Sequence, residues 1–91
     1  MTSAGSPVKT SSAVLNDGNC KLTSIHFCST GTATLKIYDH NNTTVGSADE
    51  VARLILTANT TIEFDMHNRS MGTGITAILT GSGGSYSCTW S

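Results

Sequence analysis

The sequence predicts an all-β domain, a small sandwich or barrel, on three observations. Apolar and polar side chains alternate over several short runs, and breaks rich in glycine and asparagine separate those runs at close intervals. Threonine, serine and glycine crowd the chain, while Pro7 is its one proline. Alternation marks strands because successive Cβ atoms point to opposite faces of a sheet. Short strands with turn signals between them mark sandwiches and barrels.

Taken in order, residues 1–17 offer only Val8, Val14 and Leu15 for burial among Ser, Thr, Ala and Gly, which predicts a flexible arm able to order on a neighbour. The compact part begins near Cys20. "KLTSIHFCS", residues 21–29, is a strand with Thr23, Ile25 and Phe27 on one face and Leu22, Ser24, His26 and Cys28 on the other. After the turn "STG", the run "TATLKIYD" sends Ala33, Leu35 and Ile37 inward and Thr34, Lys36 and Tyr38 outward. Threonine suits the outer side, where its branched Cβ fits the pleat and its hydroxyl stays wet. Asp39 to Gly46 is the loop that ends this strand.

The segment 49–58 carries two patterns. Val51, Leu54, Ile55 and Ala58 have helical spacing behind Asp49 as an N-cap, whereas Val51, Arg53 and Ile55 alternate as in a strand. Its short length and flanking loops favour a strand from Val51 to Thr57. "TIEFD" is a short strand with Ile62 and Phe64 opposite Glu63 and Asp65, followed by a loop from His67 to Gly74. "ITAILT" places Ile75, Ala77 and Leu79 on one face, "GSGGS" turns, and "YSCTWS" closes the chain with Tyr86, Cys88 and Trp90 together. Some six strands result, with no internal repeat.

Size and composition narrow the function classes. A chain of 91 residues is one domain with a thin core, since folding buries only about 60% of its unfolded surface at such sizes. Lys+Arg number 5 against Asp+Glu 6, so there is no basic footprint for nucleic acid or an anionic bilayer. The longest apolar run, Leu54-Ile55-Leu56, falls far below the roughly 20 residues that span a membrane, and no nucleic-acid or membrane partner is expected. No cationic stretch with an apolar run opens the chain, so export is not expected, and the sequons at Asn41, Asn42, Asn59 and Asn68 read as accidents of composition. Cys20, Cys28 and Cys88 are an odd set without C-x-x-C spacing, which predicts reduced, structural thiols with at most one bridge.

No chemistry converges. His26 and Cys28 share one strand face and lack a third ligand at diagnostic spacing, while His40 and His67 fall in loops. No nucleophile elbow occurs, and "GTG" and "GSGG" lack the lysine and helix of a phosphate loop. Asp39, Asp49, Glu50 and Asp65 lack the spacing of an EF-hand. Trp90, Tyr86 and Tyr38 form either an aromatic platform or part of the core, with the core favoured for Trp90. The chain is expected not to be an enzyme, and no catalytic, cofactor-binding or metal-binding residue is assigned.

"STGTATLKIYD" at 29–39 and "GITAILTG" at 74–81, in that order and spacing and followed by the aromatic last strand, resemble small structural proteins of tailed bacteriophages over about residues 20–91. The resemblance implies an all-β fold, a small antiparallel β-sandwich (jelly-roll-like) over residues 20–91, which leaves residues 1–19 as the flexible N-terminal arm that their composition predicts. It implies a capsid decoration or cement protein that binds the major capsid protein and stabilises the head, or else a head-tail or tail component. The partners implied are the major capsid protein or neighbouring virion proteins, and further copies of the chain in a homotrimer or other homo-oligomer. The location implied is the virion, assembled in the host cytoplasm. The arm would order on an adjacent subunit. A carbohydrate- or host-binding β-module is the alternative.

Overall fold

In a computed structural model that describes residues 4–46 and 49–91, the chain folds into eight strands. They are β1 Ala4–Gly5, β2 Ala13–Asp17, β3 Cys20–Ser29, β4 Ala33–Tyr38, β5 Glu50–Leu56, β6 Thr60–Met71, β7 Gly74–Gly81 and β8 Gly84–Trp90. Two antiparallel sheets form, in the orders β1-β8-β3-β6 and β2-β7-β4-β5. The pairs β1·β8 and β3·β6 lie in one sheet and β2·β7 and β4·β5 in the other, so the chain is a long hairpin rolled upon itself. This is the strand order of a jelly roll, and the expected antiparallel sandwich is what forms. Every connection except β4–β5 crosses from one sheet to the other.

The core lies between the sheets. Leu22, Ile25, Phe27, Tyr86 and Cys88 come from one, and Ala33, Leu35, Ile37, Leu54, Leu56, Ile75 and Ala77 from the other. Ala33, Leu35 and Ile37 point inward as their alternation predicts, as do Ile75 and Ala77, and Trp90 packs half-buried against the same cluster. The ambiguous segment is a strand, Glu50–Leu56, but it buries Leu54 and Leu56 and leaves Arg53 and Ile55 outside.

Five expectations are corrected. Residues 4–17, read as an arm, enter the sandwich: β1 extends one sheet along β8 and β2 extends the other along β7, because those strands present open backbone donors and acceptors. Residues 1–3 lie outside the described part. The expected loop from His67 is strand as far as Met71, interrupted by a bulge in which His67 and Asn68 take φ of 53° and 55°. The register of β3 also shifts between Leu22 and Ser24, so Leu22 and Ile25 both face inward although an unbroken alternation sets them on opposite sides. Tyr38, expected outward, is buried beside a register shift at the end of β4. The strand count rises from about six to eight.

Candidate functional site

The outer face of the β8, β3 and β6 sheet gathers the residues with chemical potential. Cross-strand register sets Ser85, Cys28 and Thr61 in one row, Ser87, His26 and Glu63 in the next, and Thr89, Ser24 and Asp65 in a third. Side chains of directly opposed residues meet on one face of an antiparallel ladder. Accordingly His26 Nε2 lies 3.1 Å from Glu63 Oε2, and the Thr61 hydroxyl donates to Cys28 Sγ at 3.2 Å. Val8, on the segment between β1 and β2, borders a shallow hollow of about 90 Å³ over this face.

His26 is oriented by Glu63, and the Cys28 sulfur accepts a hydrogen bond from Thr61. The hollow beside Val8 is below the several hundred Å³ of a small-molecule site, and a second, open hollow of about 370 Å³ on the same face is lined by Thr23, Ser24, Glu63 and Asp65. Among the described residues, no three His, Cys, Asp or Glu side chains are placed to hold a metal ion, so the His26–Cys28 pair gains no third ligand there.

The remaining candidates are spread through the fold. His40 Nδ1 sits 3.4 Å from Asp49 Oδ2, and Glu50 takes two hydrogen bonds from Arg53 at 2.9 and 3.0 Å. Asp65 accepts the backbone N–H of His67 and so helps form the β6 bulge. The aromatic residues form no exposed platform. Tyr38 and Tyr86 are buried, with the Tyr86 hydroxyl donating to the Ser11 carbonyl at 2.7 Å. Burial pushes the Tyr86 phenol up to about 12, helped by nearby Cys88. All three cysteines are free. Burial pushes the Cys88 thiol up to about 12, and it also raises Cys20 against an opposing Asn16 hydrogen bond, with Asp39 adding to the rise. Neither is a thiolate at neutral pH, so neither is a ready nucleophile.

One residue that reads as the start of a loop proves to organise the structure. Asp39, just past β4, accepts the N–H groups of Thr73 at 2.8 Å, Gly72 at 3.0 Å and Gly74 at 3.3 Å, clamping the β6–β7 turn to the end of β4. Partial burial raises its pKa, but these three donors, aided by Arg69, outweigh that and hold it below the ordinary carboxylate value. A depressed folded-state pKa contributes stability above the unfolded value near 3.9, and that contribution is lost as pH falls through the folded value. Asp39→Asn keeps one acceptor oxygen and turns the other into a donor facing N–H groups. It is expected to cost about 1 kcal/mol at pH 7 and to flatten the loss of stability as pH falls below the ordinary carboxylate range in acid titrations of urea unfolding. Unchanged acid sensitivity in the variant would refute the clamp.

The side of the sandwich formed by β5 and β6 is the other feature that sequence patterning missed. Both are edge strands, and both expose a large apolar residue, Ile55 on β5 and Phe64 on β6. The opposite side ends in the two-residue β1 and the five-residue β2.

No family model matches this chain, and neither a curated protein nor a solved structure shows significant similarity to it.

Proposed function

We propose that the chain is a non-enzymatic structural protein of a virion, a capsid decoration protein that sits on the major capsid lattice and stabilises the head. The observation that carries this reading is the distribution of surface chemistry. Four acidic side chains pair locally with His26, His40, Arg53 and His67, and the large exposed apolar residues Val8, Val14, Ile55 and Phe64 are spread over the β1–β2 segment, β2 and the edge strands β5 and β6. Such a surface suits many weak contacts spread over area, and a subunit with a thin core gains stability from association by mass action. The likeness of residues 29–39 and 74–81 to tailed-phage structural proteins supplies the particular setting, since a jelly roll alone hosts capsid, lectin and enzyme functions alike. Its partners on this reading are the major capsid protein and further copies of itself.

Electron cryomicroscopy of virions from the source of this sequence tests the proposal. A body with extents of 35 × 27 × 19 Å is expected at repeated positions on the head lattice. Density confined to the tail moves the protein to the head-tail alternative. Absence of the chain from purified virions, together with retention on host-cell glycans, establishes the host-binding module instead.

A further inference from the structure

We infer that the β5/β6 side of the sandwich is a homodimer interface, in which β6 of each copy pairs antiparallel with β5 of the other. The inference does not rest on the virion reading and follows from direction, shape and charge. β3 and β4 run in opposite senses across the short corner at residues 30–32, β5 is antiparallel to β4, and β6 is antiparallel to β3. Hence β5 and β6 run opposite ways along the same side. A twofold axis parallel to the strands beside that side brings β5 of a second copy against β6 of the first and, reciprocally, β6 against β5. Both ladders are antiparallel, and the contact is closed and isologous.

Rotation about such an axis leaves each residue's height along the strands unchanged, which sets the register. Leu56 and Thr60 flank the corner at residues 57–59 and so stand level. Leu56 then faces Thr60 of the second copy, Leu54 faces Ile62 and Ala52 faces Phe64, on the side that continues the core. Arg53 faces Glu63 and Ile55 faces Thr61 on the outer side. Leu54 and Ala52 meet the apolar Ile62 and Phe64, Leu56 and Ile55 meet the branched threonines, and a cation meets an anion twice in the dimer.

Shape agrees. Phe64 lies cross-strand from the fully buried Ile25, on the inner face, yet is 47% exposed, whereas Leu54 and Leu56 on β5 are 6% and 5% exposed. The inner face of β6 is therefore left uncovered where that of β5 is covered, and the twofold seats each uncovered Phe64 over the small Ala52 of the other copy. The alternative twofold, perpendicular to the sheets, stacks β6 on β6 and β5 on β5. In the register centred on Phe64 it opposes Glu63 to Asp65 of the other copy, so charge selects against that pairing. Arg53 has capacity for the new partner, because its pairing with Glu50 uses only Nε and Nη2.

Sedimentation velocity on the full chain tests the pairing. A concentration-dependent dimer is expected for the natural sequence. Arg53→Glu and Glu63→Arg are each expected to weaken dimerisation by about tenfold or more, since each makes two like-charge contacts. The double variant, in which the charges are exchanged, is expected to recover the dimer, which a merely misfolded chain would not do. As a second measurement, amide exchange at residues 52–56 and 60–65 in the natural chain is expected to slow as concentration rises. A chain that remains monomeric, forms trimers or longer runs, ignores the single reversals, or fails to recover in the double variant overturns the proposal. None of these outcomes depends on whether virions contain the protein.

Discussion

A chain in which alanine replaces Leu35 is expected to lose about 2–5 kcal/mol of unfolding free energy. That is a large part of the roughly 5–15 kcal/mol typical of a single domain. Leu35 is 0% exposed on β4, an interior strand of its sheet, with Leu54 opposite on β5 and Leu79 opposite on β7. Removing its branched end takes apolar contact from both neighbours and from the facing sheet. Because β4 is bonded on both sides, its backbone cannot move in to close the gap, so the cavity term adds to the lost transfer energy. Leu35→Met, which nearly keeps the volume, is expected to cost less than about 1.5 kcal/mol. Urea unfolding followed by far-UV circular dichroism measures both. A loss below about 1 kcal/mol for the alanine variant is incompatible with a single packed core at this position.

Gly81→Ala is expected to destabilise by about 2–4 kcal/mol through a different mechanism, combining backbone strain with a close approach. Gly81 ends β7 with φ of +95°, a conformation that residues with a Cβ rarely adopt. An added Cβ would run into the Thr32 carbonyl oxygen and sit 2.8 Å from Ala33 Cα. Both neighbours are backbone and neither can swing aside. They belong to the β3–β4 crossing, which is laced to the β7–β8 crossing by Thr30 N–H donating to Gly83 O at 3.0 Å and Ser82 N–H to Thr32 O at 3.2 Å. Relieving the clash would pull apart the corner where two crossings between sheets meet. Gly46, where an added Cβ meets nothing within 4 Å, is the control. Alanine there is expected to be neutral or to stabilise by up to about 1 kcal/mol, since it restricts only the unfolded chain. Thermal melts of the two variants side by side distinguish them, and equal melting temperatures would remove the case for a strained corner.

Some of this architecture is plain from the residues. In β4 as far as Ile37, and in β7 and β8, the side-chain period of two holds, and Ala33, Leu35, Ile37, Ile75, Ala77, Tyr86 and Cys88 are buried where that period puts them. β6 shows why the reading stops short elsewhere. Its pattern breaks at His67 and Asn68, which resemble a loop, yet the strand resumes to Met71 because the bulge is held by Thr23, whose hydroxyl donates to Asn68 Oδ1 at 3.1 Å from 45 positions away. The ends of the chain differ for the same reason. Residues 4–17 have little to bury and look like an arm, but the open edges of β7 and β8 recruit them through backbone groups that carry no side-chain signature.

By itself, then, the order of apolar and polar residues determined the fold class, most of the strands and the inward face of the sheets, because each of those follows from a repeat over neighbouring positions. Asp39 clamping a turn more than thirty residues ahead, the rolled pairing of first strand with last, and the side on which Arg53, Ala52, Glu63 and Phe64 come to lie together were decided only in three dimensions. Those features depend on which distant segments share an edge or a corner, and a local period carries no information about that.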